Sequence, residues 1–536
     1  MLDRRFVPVL SGDPSKLLFT ASNWTFPLLE RIREACEEVA FKELGLDIYP
    51  MQIEVISSEQ MLDAYASIGL PIMYRHWSFG KRFAYNETLY RKGLQGLAYE
   101  IVINCNPCIV YIMEENSSLM HALVIAHAGY GHNHFFKNNY LYRQWTDAAG
   151  ITDYLEFARD YVRKCEEKYG EEAVERTLDA AHTLRDYVDR HPRKKISFAD
   201  EKRRREERRT YEESTFNEVL HRTIPGRKPK PDEVDESDDG RDEKIGLPEA
   251  NILYFLEKSA PKLKPWQREL LRIVRQVAQY FYPQRQTQVM NEGCATFVHH
   301  RILNRLFDKG MLSEGNMLEF IHSHSSVVFQ PDFDDPRFSG INPYALGFAM
   351  MEDIERICNG AEWTPKGFNP CNTEQLAEDH EWFPDIAGKG DAYGVLRDAW
   401  ANYRDESFIL QYLSPRMMRK FGFFRIDDKS TDNHLRVAAI ANRSGYRRVR
   451  EALARQYDLA RREPEITVIA ADDDTHTLVL EHRVYDGVLL DEKTCKATLD
   501  HVAFLWGGKV NFVEKEAGTD KVLNILQGEA PVLLKT

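Results

Sequence analysis

The chain has 536 residues, 43% hydrophobic and 29% charged, with a formal net charge of −13. That length implies roughly two to four domains with room for substantial cores. The acidic balance argues against a nucleic-acid-binding surface, and no run approaches the roughly 18 apolar residues that a membrane-spanning helix needs.

The opening, MLDRRFVPVLSGDPSK, carries two arginines without an apolar segment behind them, so no secretory signal is read and the cytoplasm is the expected location. The eight cysteines, at 36, 105, 108, 165, 294, 358, 371 and 495, are then expected as free thiols. Only Cys105 and Cys108 are close. With no second CxxC, and with the flanks IVINCNPCIVYIM, they read as part of a buried strand or helix rather than a zinc or redox motif.

In chain order, residues 25–44 carry apolar positions at helical spacing, with Thr25 as the cap and Pro27 in the first turn. Residues 70–113 mix glycines with an aromatic run and then a β-branched run, which predicts irregular structure feeding a buried segment. Residues 151–190 read as one or two long amphipathic helices. Between 193 and 248 a block of mixed charge, EKRRREERR, precedes the acidic PDEVDESDDGRDEK; this text has little to bury and reads as a charged, partly flexible insertion. Helical text resumes at 251–281 and continues through 291–307 and 316–323, with a break expected at Pro283. Near the end, Tyr446, Val449, Leu453 and Tyr457 form a helical stripe, followed by strand-like ITVIAA and TLVLEHRV, the helix TCKATLDHVAFLW and the strand KVNFVEK. The fold class expected is therefore mainly α. A large helical N-terminal and central domain (1–192 and 249–420) is joined, beyond the 193–248 insertion, by a smaller C-terminal α+β domain at 421–536.

Two segments carry the chemistry. The first, MHALVIAHAGYGHNHFFKNN, holds His121, His127, His132 and His134 behind an apolar helical start. On an ideal helix His127 and His132 differ by about 140°, so they converge only if the helix is distorted. Gly129 and Gly131 make such a distortion cheap. The spacing is not that of an HExxH protease. The second, QVMNEGCATFVHHRIL, places Glu292, Thr296 and His299 on one helical stripe with His300 about 100° away. Two histidines from one helix with a glutamate and a histidine from another form a plausible ligand set for zinc, iron or manganese. The alternative is a group of hydrogen-bonded core histidines, with Glu292 paired to Arg301 or Arg305. Glu115, Asp147, His322 and His324 are candidates for supporting roles.

The sequence resembles the SpoVR family, named for a stage V sporulation protein, over nearly its whole length. The likeness rests on YRHWSFGKRF (74–83), GLAYEIVIN (96–104), AHAGYGHNHFFKNN (126–139), MNEGCATFVHHRIL (290–303), SGINPYALGF (339–348), WFPDIAG (382–388) and DESFILQYLSP (405–415). It looks most like the proteobacterial branch, found in bacteria that do not form spores. The family pattern AHxxxxHxxFFKNN falls on His127, His132, Phe135, Phe136, Lys137, Asn138 and Asn139. The pattern NEGxATxxH falls on Asn291, Glu292, Gly293, Ala295, Thr296 and His299. Cys294 departs from it, standing where relatives often carry an aromatic residue. The resemblance thereby favours His127, His132, Glu292 and His299 as holders of one divalent metal, zinc first, and leaves His121, His134 and His300 as spectators. It further implies a link to the spore cortex, a modified peptidoglycan, in sporulating members. In others it implies stress and stationary-phase modules that also encode a serine kinase and a von Willebrand A-like protein. The expected function is a metal-dependent, hydrolase-like activity on a peptide or peptidoglycan-precursor bond. The alternative is a regulatory scaffold acting with those two partners.

Overall fold

The computed structural model of the chain describes residues 14–67, 69–70, 72–92, 99–187, 246–360, 373–427, 436–472, 474–485, 487–519 and 521–529. The opening segment, nearly all of the expected insertion at 193–248, and Cys371 lie outside the described residues. The fold is mainly α with a C-terminal α+β part, as the periodicity predicted. It divides into two compact units, one drawn from Met1–Pro71, Trp77–Arg143 and Pro283–Arg462, the other from Ile72–His76, Gln144–Tyr282 and Glu463–Thr536.

In the first unit, Thr25 caps the Phe26–Lys42 helix by accepting a hydrogen bond from the Leu28 N–H, with Pro27 in the first turn where its missing N–H costs nothing. A three-stranded sheet follows, built from β1 (Met51–Ile56), β2 (Glu100–Ile103) and β3 (Cys108–Met113) in the order β1-β3-β2, with β1 parallel and β2 antiparallel to β3. Cys105 and Cys108 sit in the β2–β3 turn and at the start of β3. They are free and buried, as are the other five cysteines among the described residues.

The centre of this unit is a set of packed helices. One begins at Ser118–Val124, passes through a π-helical stretch at Ile125–His132 and ends at Asn133–Asn138. It packs on the Gln288–Asp308 helix, which in turn packs on Pro343–Asn359. Both crossings are close because glycines lie in them. A Cβ on Gly131 would stand 2.5 Å from the Ala295 Cα, and one on Gly347 2.2 Å from the Val289 carbonyl oxygen. The Tyr446–Tyr457 helix, which buries Tyr446, Val449 and Leu453, also belongs here and packs on Asp405–Tyr412. An antiparallel pair, β4 (Phe424–Asp427) with β5 (Arg436–Ile440), completes the unit.

In the second unit, the helices Ile151–Tyr169 and Glu171–Thr183 meet at Gly170, whose φ of +88° favours glycine. They are joined by Ile252–Ser259, the part of Pro265–Gln286 up to Tyr282, and a four-stranded sheet. That sheet is β6 (Glu465–Asp472), β7 (Thr477–Val484), β8 (Lys509–Glu516) and β9 (Val522–Gly528), in that order. The β7–β8 pair is parallel, crossed over by the Glu492–Trp506 helix. Alternation in β8 buries Val510, Phe512 and Glu514 on one face.

Three expectations are corrected. Residues 77–91 form a helix rather than irregular structure; of its residues only Phe79 is buried, so no apolar stripe announces it. Pro283 lies inside the Pro265–Gln286 helix, close enough to its end that the lost backbone bond is tolerated, and the break comes at Thr287, whose hydroxyl donates to the Pro283 carbonyl. The helices that serve the C-terminal sheet are Glu492–Trp506 and Ile252–Ser259, while Tyr446–Tyr457 stands in the other unit.

Candidate metal centre

The π-helical stretch brings two histidines together. In an α-helix residues five apart point in different directions, whereas a π turn closes its hydrogen bonds at i→i+5 and sets such residues nearly over one another. His127 and His132 accordingly stand with ring centroids 4.6 Å apart. The distortion expected at Gly129 and Gly131 is this π register. Gly131 is also sterically required by the Ala295 backbone, whereas a Cβ on Gly129 would meet only the end of the flexible Met51 side chain, its sulfur at 2.5 Å.

The Gln288–Asp308 helix presents Glu292 to this pair. One ligand atom each from His127, His132 and Glu292 lies within 4.8 Å of the others, the sole such group among the described residues. Glu292 Oε2 is 3.5 Å from His132 Nε2 and 3.9 Å from His127 Nε2. It is buried and, among the described residues, accepts no hydrogen bond. An orphaned carboxylate oxygen facing two imidazole nitrogens is costly unless something else fills the space between them. The residues fit a divalent metal, for which His and Glu are ordinary ligands.

The far ring nitrogens are engaged. His132 Nδ1 lies 2.9 Å from Asn291 Oδ1, which can only accept, so His132 donates from Nδ1 and its Nε2 carries the lone pair. His127 Nδ1 lies 2.9 Å from His299 Nδ1, and His299 Nε2 lies 3.0 Å from His324 Nδ1. Donation in either direction along the row satisfies both contacts; the direction from His127 through His299 to His324 is the one that leaves the His127 Nε2 lone pair towards Glu292. Burial holds His127 and His299 well below the ordinary imidazole range, and His324 falls to about 4, so the row is neutral.

His299, expected as a fourth ligand, lies outside the three-residue group. Glu292 and His299 share a helical stripe, but seven residues separate them by about 10.5 Å along the axis. His299 therefore meets His127 from behind rather than beside Glu292. The expected pairing of Glu292 with Arg301 or Arg305 is also absent: Arg301 pairs with Glu352 and Glu355, and Arg305 with Glu43. Of the supporting candidates, His324 extends the imidazole row, whereas Glu115 is exposed and the Asp147 side chain accepts from the Gly150 N–H in the second unit. His121 is buried edge-on against Trp24, and His134 takes the Asp47 N–H on its Nδ1.

Much of the NHFFKNN run positions the chain rather than the site. Asn133 pairs with both backbone groups of Tyr49, Lys137 with Asp47, and Asn139 with the Trp400 and Tyr403 carbonyls. Two residues that sequence reasoning missed complete the surroundings. Glu100, the first residue of β2, sets Oε1 3.8 Å from His127 Nε2. Burial first, and the Glu292 charge second, push its carboxyl up to about 8. The Tyr344 ring stacks on His127 with centroids 6.4 Å apart, and burial together with the Glu292 and Glu100 charges keeps its hydroxyl protonated. The signal for Glu100 was a lone carboxylate at the head of a β-branched run; Tyr344 had none beyond its place in SGINPYALGF.

Among the described residues, no helix is long and apolar enough to cross a membrane. No solved structure matches the chain. The family described as "SpoVR like protein" matches residues 23–462, and the "SpoVR-like C-terminal domain" matches residues 464–517. The chain is 53% identical over 488 residues to "Uncharacterized protein YcgB" of Escherichia coli (strain K12), covering 90% of this chain and 91% of that protein. With the two matches spanning almost the whole sequence, the chain belongs to the SpoVR family.

Proposed function

We propose that this protein is a metal-dependent hydrolase-like enzyme in which His127, His132 and Glu292 hold one divalent ion, zinc being the first to test. The observation that carries the reading is the convergence of two imidazole nitrogens on the orphaned Glu292 oxygen, with both opposite ring nitrogens engaged. When bound, such an ion lowers the pKa of a coordinated water and polarises a carbonyl oxygen.

The chain's own residues supply the rest. Asn291 fixes the tautomer and ring plane of His132, and His299 holds the ring plane of His127, the usual work of groups behind metal ligands. Tyr344, protonated and stacked on His127, is a hydrogen-bond donor beside the site, suited to a substrate carbonyl. The substrate class proposed is a peptide or a peptidoglycan-precursor amide or ester.

Elemental analysis of the purified full chain beside His127→Ala and Glu292→Ala tests the reading, with folding checked by circular dichroism. Near-stoichiometric metal in the wild type and loss in both variants is expected, followed by hydrolysis in a screen of peptidyl and ester substrates. Folded wild type that stays metal-free after reconstitution overturns it. A scaffold acting with a serine kinase and a von Willebrand A-like partner then becomes the reading to pursue by pull-down.

A further inference from the structure

We infer that Glu100 is a fourth metal donor, so that the centre is a two-histidine, two-carboxylate site assembled from the π-helical stretch, the Gln288–Asp308 helix and strand β2. The inference rests on the metal reading above and extends it.

Glu100 heads β2, where Val102, on the same face of the pleat, packs against the core of the unit. The strand therefore turns a carboxylate inward, and its side chain is only 19% exposed. An inward carboxylate held for structure is met by N–H groups or a guanidinium. Glu100 is met by neither: among the described residues the one cation-capable group near it is His127, and the next charge is Glu292.

The distances separate a hydrogen-bonded cluster from a ligand set. Acid–imidazole hydrogen bonds close to about 2.7–3.2 Å. Ligand atoms about 2.0–2.2 Å from one ion stand roughly 3.0–3.5 Å from one another. Glu100 Oε1 to His127 Nε2 at 3.8 Å, Glu292 Oε2 to His127 Nε2 at 3.9 Å and Glu292 Oε2 to His132 Nε2 at 3.5 Å all exceed hydrogen-bond length. Each lies within a few tenths of an ångström of a shared-ligand separation; the Glu100 carboxylate stands outside the 4.8 Å grouping of His127, His132 and Glu292 and has to move inward to join them on an ion. His127 Nε2 thus stands between two carboxylates that neither donates to it nor retreats from it.

A consequence follows for the metal. Four protein donors leave a tetrahedral ion no open position, whereas a five- or six-coordinate ion keeps one or two. Manganese or ferrous iron would then support water activation better than zinc.

The experiment is a crystal of the full chain grown with manganese(II), the ion being located by anomalous scattering. It is paired with metal dissociation constants for wild type, Glu100→Gln and Glu100→Ala, obtained by competition with a chromophoric chelator. An ion within about 2.0–2.6 Å of the Glu100 carboxylate as well as of the three other residues is expected, with Kd rising about tenfold or more in both variants. An ion held by the other three with Glu100 beyond 3 Å, or unchanged Kd in the variants, overturns the fourth-donor assignment and leaves the metal reading standing. Wild type that binds no manganese, zinc or iron overturns the metal reading itself.

Discussion

Each unit turns a glutamate inward, and the two are treated in opposite ways. Glu257, in the second unit, accepts from Arg272 at 2.9 Å and Arg275 at 3.1 Å, with Lys258 at 3.3 Å. Burial opposes its ionisation, but the charges of Arg275, Arg272 and Lys258 outweigh that and hold its carboxyl down to about 2. Glu100, in the first unit, has no such cations, and burial and Glu292 push it the other way. One carboxylate is part of the scaffold. The other has no guanidinium or ammonium beside it among the described residues, and perturbed groups left uncompensated in this manner are candidates for functional sites.

The contrast is most sharply broken at Glu257. Glu257→Gln leaves two guanidinium groups without their partner and is expected to destabilise the protein by about 3–5 kcal/mol, read from urea unfolding. Gly347→Val tests the helix crossing that seats Glu292. Its Cβ has no room beside the Val289 carbonyl, so a loss of about 1–3 kcal/mol is expected with reduced metal occupancy.

The pH dependence of the metal-free protein sharpens the comparison through Glu100. Its folded pKa of about 8 lies above the ordinary 4.5, so its contribution to stability is fully present below about 4.5 and is lost as pH rises through 8. Chelator-treated wild type should show a falling thermal midpoint across that window, and Glu100→Gln should flatten it. For Glu257 the sign reverses: its contribution is present above about 4.5 and is lost as pH falls through 2.

Smaller effects come from neutral replacements in the centre. Glu292→Gln in metal-free protein removes the like charge that opposes Glu100 ionisation and, above about pH 8 where Glu100 ionises, should stabilise by an amount on the order of 1 kcal/mol, opposite in sign to Glu257→Gln. His121→Phe should leave metal content unchanged and shift stability least. His121 buries both ring nitrogens without a partner, and burial pulls its pKa down to about 4, so an apolar ring loses nothing there.

Local text announced the ingredients of the site more readily than their arrangement. His127 and His132 are five apart with glycines between, and that spacing already required a distorted helix. Glu292 was readable as a carboxylate on an otherwise apolar face. His299 was misplaced because a shared stripe says which face a residue occupies but not which level of a partner helix it meets. Glu100 went unread because the contact between β2 and the π-helical stretch is tertiary, between segments set side by side by the sheet.

Local text determined the mainly α class, the Thr25 cap, the helical character of the segments either side of Gly170 and three of the four strands of the C-terminal sheet, β9 having gone unread. Each depends on neighbours within a few residues, through periodicity, capping and turn chemistry. Tertiary packing decided which nitrogen of each histidine faces Glu292, that His299 stands behind His127, and that Glu100 Oε1 comes within 3.8 Å of His127 Nε2. Those outcomes depend on close backbone contact at Gly131 and Gly347 between segments more than 50 residues apart, and no local pattern encodes such a contact.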